Sequence, residues 1–138
     1  MNIQHFFDPA TFTLTHLVTD PTSKTCAVID PVLDYDPKSG RTSTDGADKV
    51  IARIRERGLT LGWVLETHVH ADHLSGAQHI TAALGGRIGI GANVTNVQKT
   101  FIDIYNLTDV APDGSVFDHL FEDGETIEIG ALKGHVMF

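Results

Sequence analysis

Cysteine occurs once in the 138 residues, as Cys26, so no intramolecular disulfide can form and a thiolate-rich zinc or iron–sulfur site is excluded. Basic residues are scarce: 10 Lys and Arg stand against 18 Asp and Glu, and the resulting formal charge of −8 disfavours nucleic acid, whose phosphates demand a basic surface. No apolar run approaches the roughly 20 residues a membrane helix needs. The start, Met1-Asn2-Ile3-Gln4-His5, lacks the basic region and apolar stretch of a secretory signal. Neither a nucleic acid nor a membrane is therefore expected as a partner, and a cytoplasmic location is. Low-complexity tracts are missing as well, and a hydrophobic share of 41% suits a single domain with a real core.

Ligand chemistry, in contrast, is concentrated in one place, Thr67-His68-Val69-His70-Ala71-Asp72-His73. An apolar run, Leu61 to Leu65, reads as a buried strand before it, and Ser75 to Leu84 reads as a helix after it. In an extended segment side chains alternate, so His68, His70 and Asp72 are expected on one side, with Val69 and Ala71 pointing away. His73, at the turn into the helix, can approach from another direction and serve a second metal position. Imidazole nitrogen and carboxylate oxygen suit zinc, iron or manganese.

The remainder reads as a layered α/β chain. Ile3 to Phe7, Phe12 to Val18 and Thr25 to Ile29 are expected strands of a meander, and Cys26 within the third is a buried, inert thiol. Asp34 to Thr44 reads as a polar loop, in which Tyr35, Lys38 and Arg41 could meet an acidic substrate. Ala47, Val50, Ile51 and Ile54 fall on one helical face, capped by Ser43 or Thr44 and ended by Gly58. After the motif, Arg87 to Ile90 is an expected strand, and Asn93 to Asn106 an amphipathic helix. Phe117 to Phe121 and Thr126 to Ile129 are expected to form a hairpin across Asp123-Gly124. Gly86, Gly89 and Gly91 lack phosphate-loop spacing and read as turn and close-packing glycines. His5, His16, His119 and His135 read as structural, and His79 as a surface residue or a support behind the ligands.

The strand, the His-x-His-x-Asp-His segment and the following helix resemble the metallo-β-lactamase superfamily, an αββα sandwich with metal at the rim of its sheets. His68 through Ala77, the early His5-Phe6-Phe7-Asp8 and the stretch Asp34 to Arg41 are similar to its persulfide dioxygenase branch and the bacterial β-lactamase-hydrolase-like relatives. In the dioxygenases the resemblance implies one iron(II), held by His68 together with a histidine and an aspartate from the second half of the fold, and oxidation of glutathione persulfide to sulfite. In the hydrolase branches it implies two zinc ions, His68 and His70 at one, Asp72 and His73 at the other, and attack on an ester, thioester or lactam carbonyl. Asp72 is the candidate catalytic residue, and His68, His70, Asp72 and His73 are the candidate metal ligands.

The same resemblance implies that this chain supplies roughly the N-terminal half of the sandwich as one domain over residues 1–138. The family's next histidine follows the strand matched by His135 to Phe138, which reads as mid-strand, so truncation is expected. A half-sandwich would leave sheet edges and an apolar face open, favouring a homodimer or another association. A chain without turnover of its own, acting through that association, is a third expectation beside dioxygenase and hydrolase.

Overall fold

β-Branched and aromatic residues punctuated by Asp-Pro turns dictate an antiparallel beginning. The computed structural model describes residues 1–109 and 111–138. In it β1 (Asn2–Asp8), β2 (Thr13–Thr19) and β3 (Thr25–Ile29) form the expected meander. Then come β4 (Val32–Asp36), β5 (Arg41–Ser43), α1 (Asp45–Glu56), β6 (Thr60–Glu66), β7 (Leu74–Ser75), α2 (Ala77–Leu84) and β8 (Arg87–Gly91). α3 (Val94–Tyr105), β9 (His119–Phe121), β10 (Thr126–Ile129) and β11 (Leu132–His135) complete the order.

Among the described residues the main sheet has six strands in the order β1-β2-β3-β6-β8-β9. β3, β6, β8 and β9 run parallel, which requires crossovers, and α1, α2 and α3 lie in those connections. Cys26, Ala27 and Val28 are all fully buried, as a central strand covered on both faces demands. One face packs Leu17, Cys26, Val28, Val64 and Ile88 against Val50, Ile51 and Ile54 of α1 and Ile80 of α2. On the other, Ala27, Trp63 and Phe121 meet Ile127, Ile129 and Val136, so the β10–β11 hairpin covers the face opposite the helices. The result is a helix layer, a mixed sheet and a hairpin layer.

Three local expectations are corrected. Residues 34–44 are not a plain loop: β4 and β5 pair through Asp34↔Ser43 and Asp36↔Arg41. Asp36 closes that turn by accepting the Lys38 N–H on its side chain and the Gly40 N–H on its carbonyl, and the strand β5 is wholly exposed, so no apolar alternation marks it. Ser75 does not begin the helix: Leu74 and Ser75 pair with Leu33 and Val32, and α2 starts two residues later.

The expected hairpin across Asp123-Gly124 does not form either. β9 joins β8 in parallel, and β10 pairs with β11 instead. Packing decides this, because Phe121 is buried against Trp63, ring centroids 5.2 Å apart, directly over Gly89, and that anchors β9 in the main sheet. Asp123-Gly124 carries the chain from one layer to the next. Val136–Phe138 lies beyond the last strand, although Val136 still exchanges backbone hydrogen bonds with Glu125 and Gly124.

Candidate metal centre

Because β3 and β6 are parallel neighbours, their C-terminal ends lie side by side, and each ends in a carboxylate: Asp30 just after β3, Glu66 as the last residue of β6. Asp30 adopts φ +50°, a region that Asp tolerates better than most residues. Its carboxylate clamps the start of the motif: the Thr67 N–H donates to Oδ1 and the Thr67 hydroxyl to Oδ2, both at 2.7 Å.

Beyond Glu66 the strand stops, and residues 67–73 form a loop. The expected strand-like alternation of His68, His70 and Asp72 is therefore replaced by a curl. His70, Asp72 and His73 each place a donor atom within 4.8 Å of the others. The His70 and His73 rings lie 4.0 Å apart by centroid, and Asp72 Oδ1 is 3.6 Å from His70 Nδ1 and 3.3 Å from His73 Nδ1. His73 thus joins the same group rather than approaching from elsewhere. The His68 ring stands 4.4 Å from that of His70, at the edge of the cluster and outside its tightest donor group.

Hydrogen-bond roles follow from the neighbours. His70 Nε2 faces two carboxylate oxygens, Asp30 Oδ1 at 3.0 Å and Glu66 Oε2 at 3.1 Å, so it donates to them, and Nδ1 is turned toward Asp72. Thr67 Oγ1 spends its hydrogen on Asp30, so it accepts from His68 Nδ1 at 2.9 Å and leaves His68 Nε2 free to bind. Burial, then the neighbouring His70, holds the His73 imidazole below its ordinary value, that is, neutral. The Asp72 carboxyl is held low by its own backbone N–H and by the surrounding histidines, His73 foremost. Burial pushes the Glu66 carboxyl up to about 7, while the Ser75 hydroxyl and His70 pull the other way.

These groups fit a metal ion. His70 Nδ1 and both ring nitrogens of His73 are buried without any hydrogen-bond partner, which costs on the order of 1–3 kcal/mol for each such group unless something occupies the lone pair. Two imidazoles beside a carboxylate make a nitrogen–oxygen set that suits iron(II) or zinc. A cavity of about 420 Å³ opens beside the imidazoles, walled by Leu74, Ile88, Ile90, Val116 and Phe117.

The other histidines lie outside the donor group, although His79 also lines the cavity. His79 bridges α2 to α1 through Asp48 Oδ1 at 2.8 Å, His5 and His16 face each other across β1 and β2, His119 meets Glu125, and His135 sits beside Thr126. Asp30, Glu66 and Ser75 were not singled out from the sequence. Asp30-Pro31 reads as a turn, but a charged residue closing the buried strand Leu61–Leu65 immediately before Thr-His was a usable signal for Glu66.

Residues 8–137 match the family model described as the metallo-beta-lactamase superfamily. The chain belongs to that superfamily. This metallo-beta-lactamase-superfamily chain is 48% identical over 136 residues to the beta-lactamase hydrolase-like protein of Xylella fastidiosa, a match covering 99% of it and 32% of the relative. It is 48% identical over 123 residues to glyoxylase B2 of Dictyostelium discoideum, covering 88% of this chain and 42% of that one. To the human mitochondrial persulfide dioxygenase ETHE1 it is 29% identical over 128 residues, covering 93% and 39%. Among solved structures, ETHE1 from Myxococcus xanthus matches with a TM-score of 0.68 at 23% identity, covering 96% of this chain and 46% of that one; at that identity the likeness speaks for the fold. The superfamily chain thus spans 32–42% of these relatives' own length, and its layers are those of the sandwich's N-terminal part. Among the described residues, no helix is long and apolar enough to cross a membrane.

Proposed function

We propose that this chain carries the metal motif of an iron(II)-dependent enzyme that oxidises a persulfide of a small thiol, with glutathione persulfide as the substrate class. The observation that carries the reading is the group of two imidazoles and one carboxylate, His70, His73 and Asp72, with its unpartnered buried nitrogens. Two histidines and a carboxylate with open positions are the donor set of non-haem iron oxygenases. The human relative named persulfide dioxygenase supports the substrate.

Iron(II) bound there would supply positions at which the persulfide sulfur and dioxygen meet. The balanced reaction is RSSH + O2 + H2O → RSH + H2SO3: the outer sulfur is oxidised, dioxygen is reduced, and the S–S bond breaks with the thiol as leaving group. His70 and His73 would hold the iron through imidazole nitrogens and Asp72 through its carboxylate, with His68, the ligand the dioxygenase resemblance implies, at the edge of the group. Asp72, whose side chain is 51% exposed, would also be open to an incoming substrate. Leu74, Ile88 and Phe117 give the cavity beside the imidazoles an apolar wall.

A second reading, a dinuclear zinc hydrolase acting on glutathione thioesters, is favoured by one feature: His68 Nε2 is a fourth available donor beside the group. The name glyoxylase B2 of a 48% identical relative points the same way. Elemental analysis of protein purified without added metal, coupled to oxygen uptake with glutathione persulfide, separates the two. About one iron per chain with persulfide-driven oxygen uptake supports the dioxygenase. About two zinc per chain, with thioester hydrolysis and no oxygen uptake, replaces it with the hydrolase.

A further inference from the structure

We propose that Glu66 is a positioning residue of the metal centre: with Ser75 it staples the two ends of the motif loop and holds His70 with Nδ1 facing Asp72 and His73. The proposal rests on the metal reading above. Glu66 is the last residue of β6 and Ser75 the last of β7, so their hydrogen bond closes residues 67–74 into a ring with His70 inside it.

The contacts form a directed chain. The Ala77 N–H, at the start of α2, donates to Ser75 Oγ at 3.0 Å, which turns the serine hydrogen toward Glu66 Oε1. The other oxygen, Oε2, then accepts from His70 Nε2 at 3.1 Å. Glu66 Oε1 has the Ser75 hydroxyl as its donor and Oε2 the His70 Nε2 hydrogen, and its side chain is only 5% exposed, so water offers it no substitute. Asp30 stands differently. Both its oxygens are engaged by Thr67, at the beginning of the loop, and it shares the single Nε2 hydrogen of His70 with Glu66. Asp30 therefore anchors where the loop leaves β6, whereas Glu66 alone ties that point, the middle of the loop and the approach to α2 together. An imidazole fixed from behind by a carboxylate keeps one tautomer and one orientation, which is what a ligand must have before the ion arrives.

Two readouts test this on the intact chain: the tautomer of His70 in the metal-free protein, by nitrogen-15 NMR, and zinc(II) affinity, by chelator competition. The wild type is expected to show the Nε2–H form. Glu66→Met removes, at similar volume, one of the two acceptors of the Nε2 hydrogen and leaves Asp30 Oδ1, and it is expected to raise the share of the Nδ1–H form and weaken zinc about 10–100-fold. Glu66→Gln keeps an accepting oxygen and should recover most of both. Wild-type tautomer and affinity in Glu66→Met would overturn the proposal and leave Glu66 a purely structural staple. Should Glu66→Met fail to fold, Ser75→Ala is read the same way: a smaller loss of the same kind supports the proposal, and unchanged affinity and tautomer overturn it. Absence of zinc uptake by the wild type would defeat the metal reading alone, and the His70 tautomer in the variants would still decide whether Glu66 positions that ring.

Discussion

A buried imidazole without a hydrogen-bond partner is costly to keep, so His73, with its side chain 1% exposed and both nitrogens unpartnered, should reveal the trade between stability and function. Replacing it by leucine, of similar bulk, is expected to stabilise the metal-free chain by about 1–3 kcal/mol in urea unfolding while metal binding is lost. An unchanged or lower midpoint would show that its nitrogens are satisfied in solution by water. The ligand series follows from the same geometry. His70→Ala and His73→Ala should weaken metal binding more than about 100-fold, His68→Ala less, and His79→Ala hardly at all, since His79 serves Asp48 on α1. Equal losses at His79 and His73 in equilibrium dialysis would mean the site is elsewhere. At this scale the residue types of the motif were legible because three histidines and an aspartate so closely spaced have few other uses. The loop conformation was not, since nothing in Val69 or Ala71 announces that the strand has ended. Asp30 lies 40 residues from its partner His70, and a contact of that span leaves no local trace.

Elements were legible where burial is periodic. α1 buries the very residues its spacing singled out, Ala47, Val50, Ile51 and Ile54, because a helix against a sheet needs one apolar stripe and these supply it. The β4–β5 hairpin escaped notice because its outer strand buries nothing, and the β9–β10 hairpin was misread because a turn dipeptide says where the chain bends and not which strand it will pair with. Pairing was decided by shape on β8. At Gly89 an added Cβ would lie 2.5 Å from Phe121 Cε2 and 3.3 Å from Trp63 Cζ3, so the glycine is a seat for the aromatic ring. Gly89→Ala should therefore destabilise by about 1–3 kcal/mol and alter the near-ultraviolet circular dichroism of Trp63, the lone tryptophan. Gly62→Ala on the neighbouring strand β6, where the nearest atom would be Thr25 Cγ2 at 3.4 Å, is the control and should cost little. Matching losses at the two positions would attribute the effect to backbone preference and not to the ring.

Across the whole molecule, the layer opposite the helices is held on by more than apolar contact. Asp20, 2% exposed in the turn after β2, accepts the Ser23 hydroxyl, the Thr22 N–H and, 111 residues along the chain, the Ala131 N–H at 2.8 Å in the turn of the β10–β11 hairpin. Gly130 makes this approach possible: it sits at φ +63°, and a Cβ there would fall 2.0 Å from Ser23 Oγ and 2.6 Å from Asp20 Oδ2. The Ser23 hydroxyl first, then the Ala131 and Thr22 amides, hold the Asp20 carboxyl far below the usual carboxylate range. A carboxyl depressed in the folded state contributes stability that is fully present above its unfolded value, about pH 4, and is lost as pH falls from there through the folded value. Protonation of Asp20 should thus loosen the hairpin from the sheet in acid. Asp20→Asn keeps the shape but turns one acceptor into a donor facing donors, so it should melt lower than wild type at pH 7. Its deficit should then shrink between pH 4 and pH 2, because the wild type is losing the same interaction. Far-ultraviolet melting curves across that range decide the matter: two profiles that run parallel down to pH 2 would show that Asp20 does not hold the hairpin layer through its charge.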